Sequence, residues 1–221
     1  PTWRPFQLAF ILQVLPSFIE EKNTDTELVD LLYFPTGGGK TEAYLAVSAF
    51  LIFWRRLQHP NSYGGVNIII RYTLRLLSAQ QFERATKLIL ACEFIRQNYK
   101  DLGNEKITIG FWVGNSTIPN KLEKAKEQLA SAQKRLNEGR INTSNPFQIT
   151  NCQWCNTKTI SKVQENFNFE IGHRIGRGGN LQTFCLNPNC TFCEDKQSLP
   201  IVVVDEDIYD NPPTILFATV D

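Results

Sequence analysis

The chain has 221 residues, of which 42% are hydrophobic, and its 23 Lys and Arg against 22 Asp and Glu give a formal net charge of +1. The length suits one large domain or one domain with a sizeable insertion, and the near-neutral charge excludes an argument for nucleic-acid binding from overall charge. No apolar run approaches the roughly 18 residues of a membrane span, and the first residues do not form a secretory signal. Six cysteines in such a chain favour thiols or a metal site over disulfides, so we expect a cytoplasmic protein that does not enter a membrane.

Helical and apolar segments alternate in the first half of the chain. Their periodicity predicts helices over 3–20, 42–57 and 76–99 and strands over 31–33, 66–70 and 107–113. Strands this apolar have no solvated face. They therefore favour an α/β fold, in which helices cover both faces of a parallel sheet.

The pattern changes after residue 114. A charged helix is predicted over 121–140, with a narrow apolar stripe and more Lys and Arg than Glu, and residues 141–198 are rich in loops. A solvated helix packed along that stripe is favoured over a nucleic-acid-binding arm. Apolar strands return at 200–204 and 214–220. We therefore predict one α/β domain interrupted by an insertion, with the divisions 1–114, 115–199 and 200–221.

A glycine-rich turn, Phe-Pro-Thr-Gly-Gly-Gly-Lys-Thr at 34–41, joins the first predicted strand to the next helix. Glycines let backbone N–H groups surround a phosphate because no Cβ blocks the approach. Strand, turn, Lys-Thr and helix in this order indicate a phosphate-binding P-loop rather than a simple helix cap. In that role Lys40 would reach the β- and γ-phosphates, and the Thr41 hydroxyl would ligate Mg²⁺.

Five of the six cysteines lie in the loop-rich segment, as Cys152-x2-Cys155 and Cys185-x4-Cys190-x2-Cys193. Two short cysteine turns suit a tetrahedral Zn²⁺ bound by four thiolates, and a segment with so little apolar content needs such a cross-link. We predict Cys152, Cys155, Cys185 and Cys190 as ligands, with Cys193 as the alternate. A closed four-thiolate site is structural, so no catalysis is assigned to it; free buried cysteines are the alternative.

Two further residues of metal-binding type receive structural interpretations. Cys92 falls within a predicted helix and is expected to be a small core residue. His173 is expected to be a loop histidine at the tip of a basic hairpin, within Gly-His-Arg-Ile-Gly-Arg-Gly-Gly at 172–179.

The P-loop carries Phe34 where the general pattern has glycine, and Glu-Ala follows it. This form resembles motif I of superfamily 2 helicases and translocases. Upstream, Trp-Arg-Pro-Phe-Gln at 3–7 resembles their arginine-proline-aromatic-glutamine signature, which implies that the amide of Gln7 binds the adenine edge. The resemblance implies ATP as cofactor, with Lys40 and Thr41 as catalytic residues. The implied cofactor-binding set is Arg4, Gln7, Thr36, Gly37, Gly38, Gly39, Lys40, Thr41 and Glu42.

Residues 71–81 resemble motif Ia, which implies that Thr73 and Arg75 contact the sugar-phosphate backbone of a tracked strand. Motifs along essentially the whole chain also resemble the large helicases of the DISARM phage-defence systems. There Ala-Thr-Val-Asp at 218–221 corresponds to motif Ib, so Thr219 is implied as a further DNA contact. The resemblance implies DNA with a single-stranded region and other defence-system subunits as partners, in a bacterial cytoplasm.

An apolar run at 201–204 followed by Asp205 and Glu206 has the form of a Walker B motif, in which the aspartate holds Mg²⁺ and the glutamate activates water. Only 12 residues separate Glu206 from Thr219, which is too few for Walker B and motif III of this superfamily. The resemblance instead places the true Asp-Glu box further on. We therefore expect a fragment of a longer helicase that binds nucleotide weakly and hydrolyses little by itself.

The sequence thus predicts most of the first RecA-like lobe of an ATP-dependent nucleic-acid translocase, interrupted by a helical and zinc-ribbon-like insertion. Its cofactors would be ATP, Mg²⁺ and Zn²⁺. One alternative is a complete P-loop ATPase that uses Asp205 and Glu206 as Walker B. Another is a zinc-centred nucleic-acid- or partner-binding module with a vestigial P-loop.

Overall fold

The computed structural model describes residues 2–20, 27–33, 35, 37–72, 75–113, 118–139, 145–162 and 169–219. The chain divides into two compact units. The first comprises Pro1–Tyr63 and Asp101–Gly103, and the second comprises Gly64–Lys100 and Asn104–Asp221. The predicted divisions at 114 and 199 stay a prediction.

The first unit is built on two packed helices, α1 (Pro5–Ile19) and α2 (Lys40–Gln58). Proline is well placed at the first position of α1, because that N–H has no acceptor within a helix. The buried residues of the two helices are Gln7, Val14, Ala43, Val47, Ser48, Ile52 and Arg56. Both helices agree with the predicted spans to within two residues.

Arg56 ties residues 101–103 to the first unit. Its side chain is buried, and its guanidinium donates to the carbonyl oxygen of Leu102 at 2.7 Å and lies 4.5 Å from the ring centroid of Tyr63. A buried guanidinium needs such partners, because unpaired charge is costly away from water.

The strand predicted at 31–33 is not formed. Residues 27–33 contain no strand, and the side chains of Leu31 and Tyr33 are 87% and 86% exposed. An apolar run becomes a strand only where its backbone N–H and C=O groups find ladder partners, and periodicity does not reveal whether such partners exist.

The second unit holds the remaining elements. In chain order they are β1 (Ile68–Tyr72), α3 (Arg75–Asn98), β2 (Ile109–Trp112), α4 (Leu122–Asn137), β3 (Ile160–Lys162), β4 (Phe169–Ile171), β5 (His173–Ile175), β6 (Leu181–Thr183), β7 (Ile201–Val202), α5 (Asp205–Asp210) and β8 (Ile215–Thr219). Four strands form a parallel sheet in the order β1-β8-β2-β7. The predicted α/β class with a parallel sheet is confirmed.

Helix α3 supplies the aromatic centre of the second unit. Ile70, Phe217 and Phe111 are in register across β1, β8 and β2 and therefore lie on one face of the sheet. Phe82 of α3 stacks on Phe111 with ring centroids 4.4 Å apart and meets Phe217 edge-on at 5.8 Å. These interactions hold α3 against the central strands.

A buried carboxylate fixes the other end of α3. Glu93 is 1% exposed, pairs with Arg96 at 2.7 Å and accepts the backbone N–H of Ile107 at 2.8 Å, just before β2. Burial by itself raises the pKa of Glu93, but the hydrogen bonds from Arg96, Ile107 and Gln97 outweigh it and hold the pKa below its ordinary value. The neighbouring Cys92 is buried as predicted, and burial raises its pKa to about 12.

The segment predicted as an insertion contains α4 and two antiparallel pairs, β3–β4 and β5–β6. The apolar stripe of α4 packs on β4, with Ala132, Leu136 and Ile171 forming a buried cluster. Apart from Arg135, which is half-buried, the charged side chains of α4 are exposed, as expected for a helix packed along one seam. None of the helices in the described part of the chain has the length and apolar character needed to span a bilayer.

The prediction that His173 is a loop residue at a hairpin tip is wrong. It lies in β5 and is 4% exposed, with Nδ1 3.0 Å from the Thr183 hydroxyl and Nε2 2.9 Å from the Asn145 amide. Burial lowers its pKa to about 3, so the ring is neutral. The alternation Ile171, His173, Ile175 was the available strand signal.

Candidate nucleotide and metal sites

The glycine-rich turn leads directly into α2. Gly37 and Gly39 have φ angles of +78° and +94°, in the left-handed region that glycine adopts without strain. The N–H of Gly38 donates to the carbonyl oxygen of Pro35 at 3.0 Å and closes the turn. Thr36 lies outside the described residues. The first N–H groups of α2 have no acceptor within the helix, as at any helix N-terminus.

Two side chains at the start of α1 hold this turn through the carbonyl oxygens of the turn. Arg4 donates from its guanidinium to the oxygen of Gly38, and Gln7 donates from Nε2 to the oxygen of Gly39, each at 2.8 Å. In a trans peptide the N–H points opposite to the C=O. The N–H groups of Gly39 and Lys40 therefore point away from α1, which is the arrangement a phosphate requires.

Gln7 is also held from its other side. Its Oε1 accepts the backbone N–H of Arg4 at 2.8 Å, and the side chain is 5% exposed. Both ends of the amide thus have partners within the first unit. The contact of Gln7 with adenine stays a prediction. Its contact with the turn was not foreseen, because nothing in the spacing of residues 7 and 39 indicates it.

Lys40, Thr41 and Glu42 occupy the first turn of α2. The ammonium of Lys40 donates to the carbonyl oxygen of Pro35 at 3.2 Å, and the hydroxyl of Tyr44 lies 3.3 Å from that of Thr41. The carboxylate of Glu42 stands where the positive end of the helix dipole favours negative charge. The roles of these residues toward ATP and Mg²⁺ stay predictions.

Four cysteines from two separate turns meet in the second unit. The sulfur atoms of Cys152, Cys155, Cys185 and Cys190 all lie within 4.8 Å of one another. The Cys152 and Cys190 sulfurs are 3.9 Å apart and those of Cys155 and Cys185 are 3.4 Å apart. Tetrahedral Zn²⁺ with bonds of about 2.3 Å requires sulfur separations of about 3.8 Å. The four predicted thiols therefore fit the ion in type, number and spacing.

Backbone N–H groups also point at these sulfurs. The N–H of Asn187 lies 3.4 Å from the Cys185 sulfur, and that of Phe192 lies 3.4 Å from the Cys190 sulfur. Burial raises the pKa of Cys152 to about 11 and also raises that of Cys185, whereas at Cys155 burial is outweighed by hydrogen bonds from Thr157 and neighbouring thiols, which bring the pKa to about 6. Backbone N–H groups that donate to sulfur stabilise the thiolate, which is the form that binds metal.

Cys193, the alternate ligand, is not in this cluster. It is buried at 4% exposure, and its backbone is bridged to that of Cys185.

Trp154, in the Cys-x2-Cys turn, packs against Phe192 and Phe94 with ring centroids 5.5 Å and 5.6 Å away. The first cysteine turn is thus joined by aromatic contacts to α3 and to the second cysteine turn.

Comparison with known proteins finds a strong similarity to a DISARM protein. The chain is 41% identical over 226 residues to the DISARM protein DrmA of Bacillus paralicheniformis. The predicted resemblance is confirmed. The alignment covers 99% of this chain and 19% of DrmA, so the chain spans about a fifth of the length of that protein. No protein-family model matches the chain.

Glu206, which follows β7, has a structural contact. Its carboxylate accepts the backbone N–H of Leu122 at 2.8 Å at the start of α4, and its own N–H donates to Asn120 at 3.1 Å. Burial raises the pKa of Asp205, partly offset by a hydrogen bond from Trp112. Glu206 and Leu122 are 84 positions apart in sequence, so no local pattern could predict the contact.

Two of the predicted DNA-contacting residues, Arg75 and Thr219, lie at one edge of the parallel sheet. Thr219 is the last residue of β8 and is in register with Tyr72, the last residue of β1, and Arg75 begins α3 just beyond it. Thr73 lies outside the described residues. The carboxyl ends of neighbouring parallel strands share an edge, so Thr219 and the start of α3 are brought together. Their contact with DNA stays a prediction.

Proposed function

We propose that this chain is the ATP-binding part of a superfamily 2 DNA translocase, within a RecA-like lobe, that acts in DISARM phage defence with other subunits in a bacterial cytoplasm. One observation carries the proposal. Arg4 and Gln7 hold two carbonyls of the glycine-rich turn, so that the N–H groups opposite them point away from α1. The similarity to DrmA supports the defence role.

Bound ATP with Mg²⁺ would supply the phosphoanhydride whose cleavage drives movement. The chain's own residues would bind and orient it. The N–H groups of Gly39 and Lys40 and the dipole of α2 attract the phosphates. The ammonium of Lys40 would exchange its carbonyl partner for a phosphate oxygen, and the Thr41 hydroxyl would ligate the metal.

The cysteine cluster is proposed to hold a structural Zn²⁺. All four positions of a tetrahedral ion would be filled by Cys152, Cys155, Cys185 and Cys190, which leaves no place for a reacting water. The ion would join the two cysteine turns and would give this segment a zinc-ribbon-like structure. Its role is to stabilise the insertion rather than to catalyse.

The carboxyl edge of the sheet is proposed to contact DNA. Thr73, Arg75 and Thr219 offer hydroxyl and guanidinium donors, which suit phosphate oxygens and position a strand without reading its sequence. A DNA strand that crosses this edge of the sheet would move relative to the sheet when a second lobe closes and opens with ATP binding and hydrolysis. The expected DNA therefore has a single-stranded region.

Equilibrium binding of a fluorescent ATP analogue with Mg²⁺ tests the nucleotide site. Lys40→Ala should weaken binding by about tenfold or more, since a hydrogen bond to a charged group contributes about 1.5–3 kcal/mol. Lys87→Ala, which removes an exposed lysine from α3, is the matched control and should bind as the unchanged chain does. Equal affinity in both variants contradicts the proposal. DNA binding that survives Lys40→Ala but is lost on zinc chelation favours a zinc-centred binding module instead.

A further inference from the structure

A cavity of about 710 Å³ lies in the second unit, at the edge of the sheet where the parallel strands begin. Its walls come from residues just before β1, β2 and β8, from the start of β7, from α5 and from the tip of the β5–β6 hairpin. Thr219 and the start of α3 lie at the opposite edge. The volume is within the range of ligand-binding clefts, about 300–1,000 Å³.

The charged lining of the cavity is mainly acidic. Glu105, Asp207 and Asp210 contribute carboxylates, and Lys106 is the one basic side chain among the described lining residues. Asp207 and Asp210 are three positions apart in α5, so they lie on the same face of that helix. The cavity is therefore complementary to positive charge.

Asp207 is the unusual member of this group. It is 6% exposed, and its Oδ2 accepts the backbone N–H of Leu181 at 3.0 Å. No Lys or Arg of the described residues forms an ion pair with it. Burial raises the pKa of Asp207, the Leu181 N–H lowers it, and the charges of Asp210 and Glu206 raise it further. A buried carboxylate without a cation is unfavourable, so a cationic ligand would be stabilised here.

The remaining lining residues favour one kind of cation. Leu199, Pro200 and Pro212 give the cavity an apolar wall, against which a methylene stem can pack. A guanidinium has five donors in a rigid plane and can bond two carboxylates at once, whereas an ammonium is a compact point charge. We propose that this cleft binds an arginine side chain presented by a partner protein, with Asp207 and Asp210 as its acceptors. The inference is independent of the nucleotide and zinc proposals.

Titration of the isotope-labelled chain with N-acetyl-arginine amide, followed by amide chemical shifts, tests the site. Saturable shifts are expected for the amides of Leu181 and Gly178, and N-acetyl-citrulline amide, which is neutral, should bind at least tenfold more weakly. Asp207→Asn keeps an acceptor for Leu181 and removes the charge, so arginine affinity should fall at least tenfold. In the unchanged chain, affinity should rise as pH increases through the raised pKa of Asp207, and this rise should be smaller in the variant.

Two further variants distinguish a loss of arginine binding from misfolding of the chain. Asp210→Asn alters an exposed residue and should also weaken the arginine probe, whereas Glu170→Gln alters an exposed carboxylate on β4 outside the cavity and should not. Equal binding of the arginine and citrulline probes would overturn the proposal. So would unchanged arginine binding in both aspartate variants, or Mg²⁺ that shifts the same amides and excludes the arginine probe.

Discussion

Gly39→Ala tests how the glycine-rich turn is held. The φ angle of +94° places this residue in the left-handed region, which costs a residue with a Cβ about 1–2 kcal/mol. The new Cβ would also lie 2.7 Å from Nε2 of Gln7. Because that atom ends a flexible side chain, the expected response is that Gln7 moves away and loses its hydrogen bond to the Gly39 carbonyl.

The second effect adds about 0.5–1.5 kcal/mol, the usual contribution of one neutral hydrogen bond. The free energy of unfolding of the nucleotide-free chain should therefore fall by about 1.5–3.5 kcal/mol. Gly37→Ala is the matched control, since its φ is +78° but its Cβ would meet no atom within 4 Å. It should lose only the backbone part, about 1–2 kcal/mol.

Urea unfolding followed by far-ultraviolet circular dichroism measures these differences. Gly39→Ala is then repeated in a Gln7→Ala background, where there is no amide to displace. In that background Gly39→Ala should lower the free energy of unfolding only as much as Gly37→Ala does. The coupling free energy between residues 7 and 39 is then about 0.5–1.5 kcal/mol. Equal costs of Gly39→Ala in the two backgrounds would refute the proposed contact between α1 and the turn.

Three other changes test the remaining sites. Cys155→Ser should abolish stoichiometric zinc because it removes one of four ligands, and Cys193→Ser should retain it; metal analysis that finds zinc lost from both would contradict the ligand assignment. Glu93→Gln leaves the guanidinium of Arg96 without its counter-charge and should cost about 3 kcal/mol at neutral pH. Because the folded-state pKa of Glu93 is lowered, the stability that its ionised carboxylate contributes is fully present above the ordinary glutamate pKa of about 4.3. That stability is lost as pH falls through the lowered pKa. The Tm values of the two proteins should therefore converge in acid, and a gap that does not change with pH would count against the ion pair. Glu206→Gln should leave binding of the ATP analogue unchanged, and stable trapping of ATP would instead indicate a Walker B glutamate.

Local patterns predicted the regular elements well. The apolar spacing gave α1, α2 and α3 to within a few residues, and the apolar runs at 66–70, 107–113, 200–204 and 214–220 gave the four strands of the sheet and their parallel arrangement. These predictions succeed because helix and strand periods are set by the backbone. The run at 31–33 failed for a related reason, because a strand also needs a neighbour with which to pair.

Side-chain roles were less predictable than elements. The four clustered cysteines were found from spacing, because a metal site built from two short turns leaves a local signature. His173 was misplaced, because its partners Asn145 and Thr183 come from other segments. Glu206 had the sequence context of a catalytic carboxylate, but its partner in the structure is a backbone N–H 84 positions away.

The sequence by itself determined the α/β class, the glycine-rich turn before α2, the set of cysteines and the resemblance to DISARM helicases, because each is written in contiguous residues or short spacings. Only the tertiary structure decided that Arg4 and Gln7 hold the carbonyls of that turn. It alone placed Asp207, which forms no ion pair with a described Lys or Arg, in a mainly acidic cavity. Such contacts depend on which distant segments the fold brings within hydrogen-bond distance, and a one-dimensional pattern does not contain that distance.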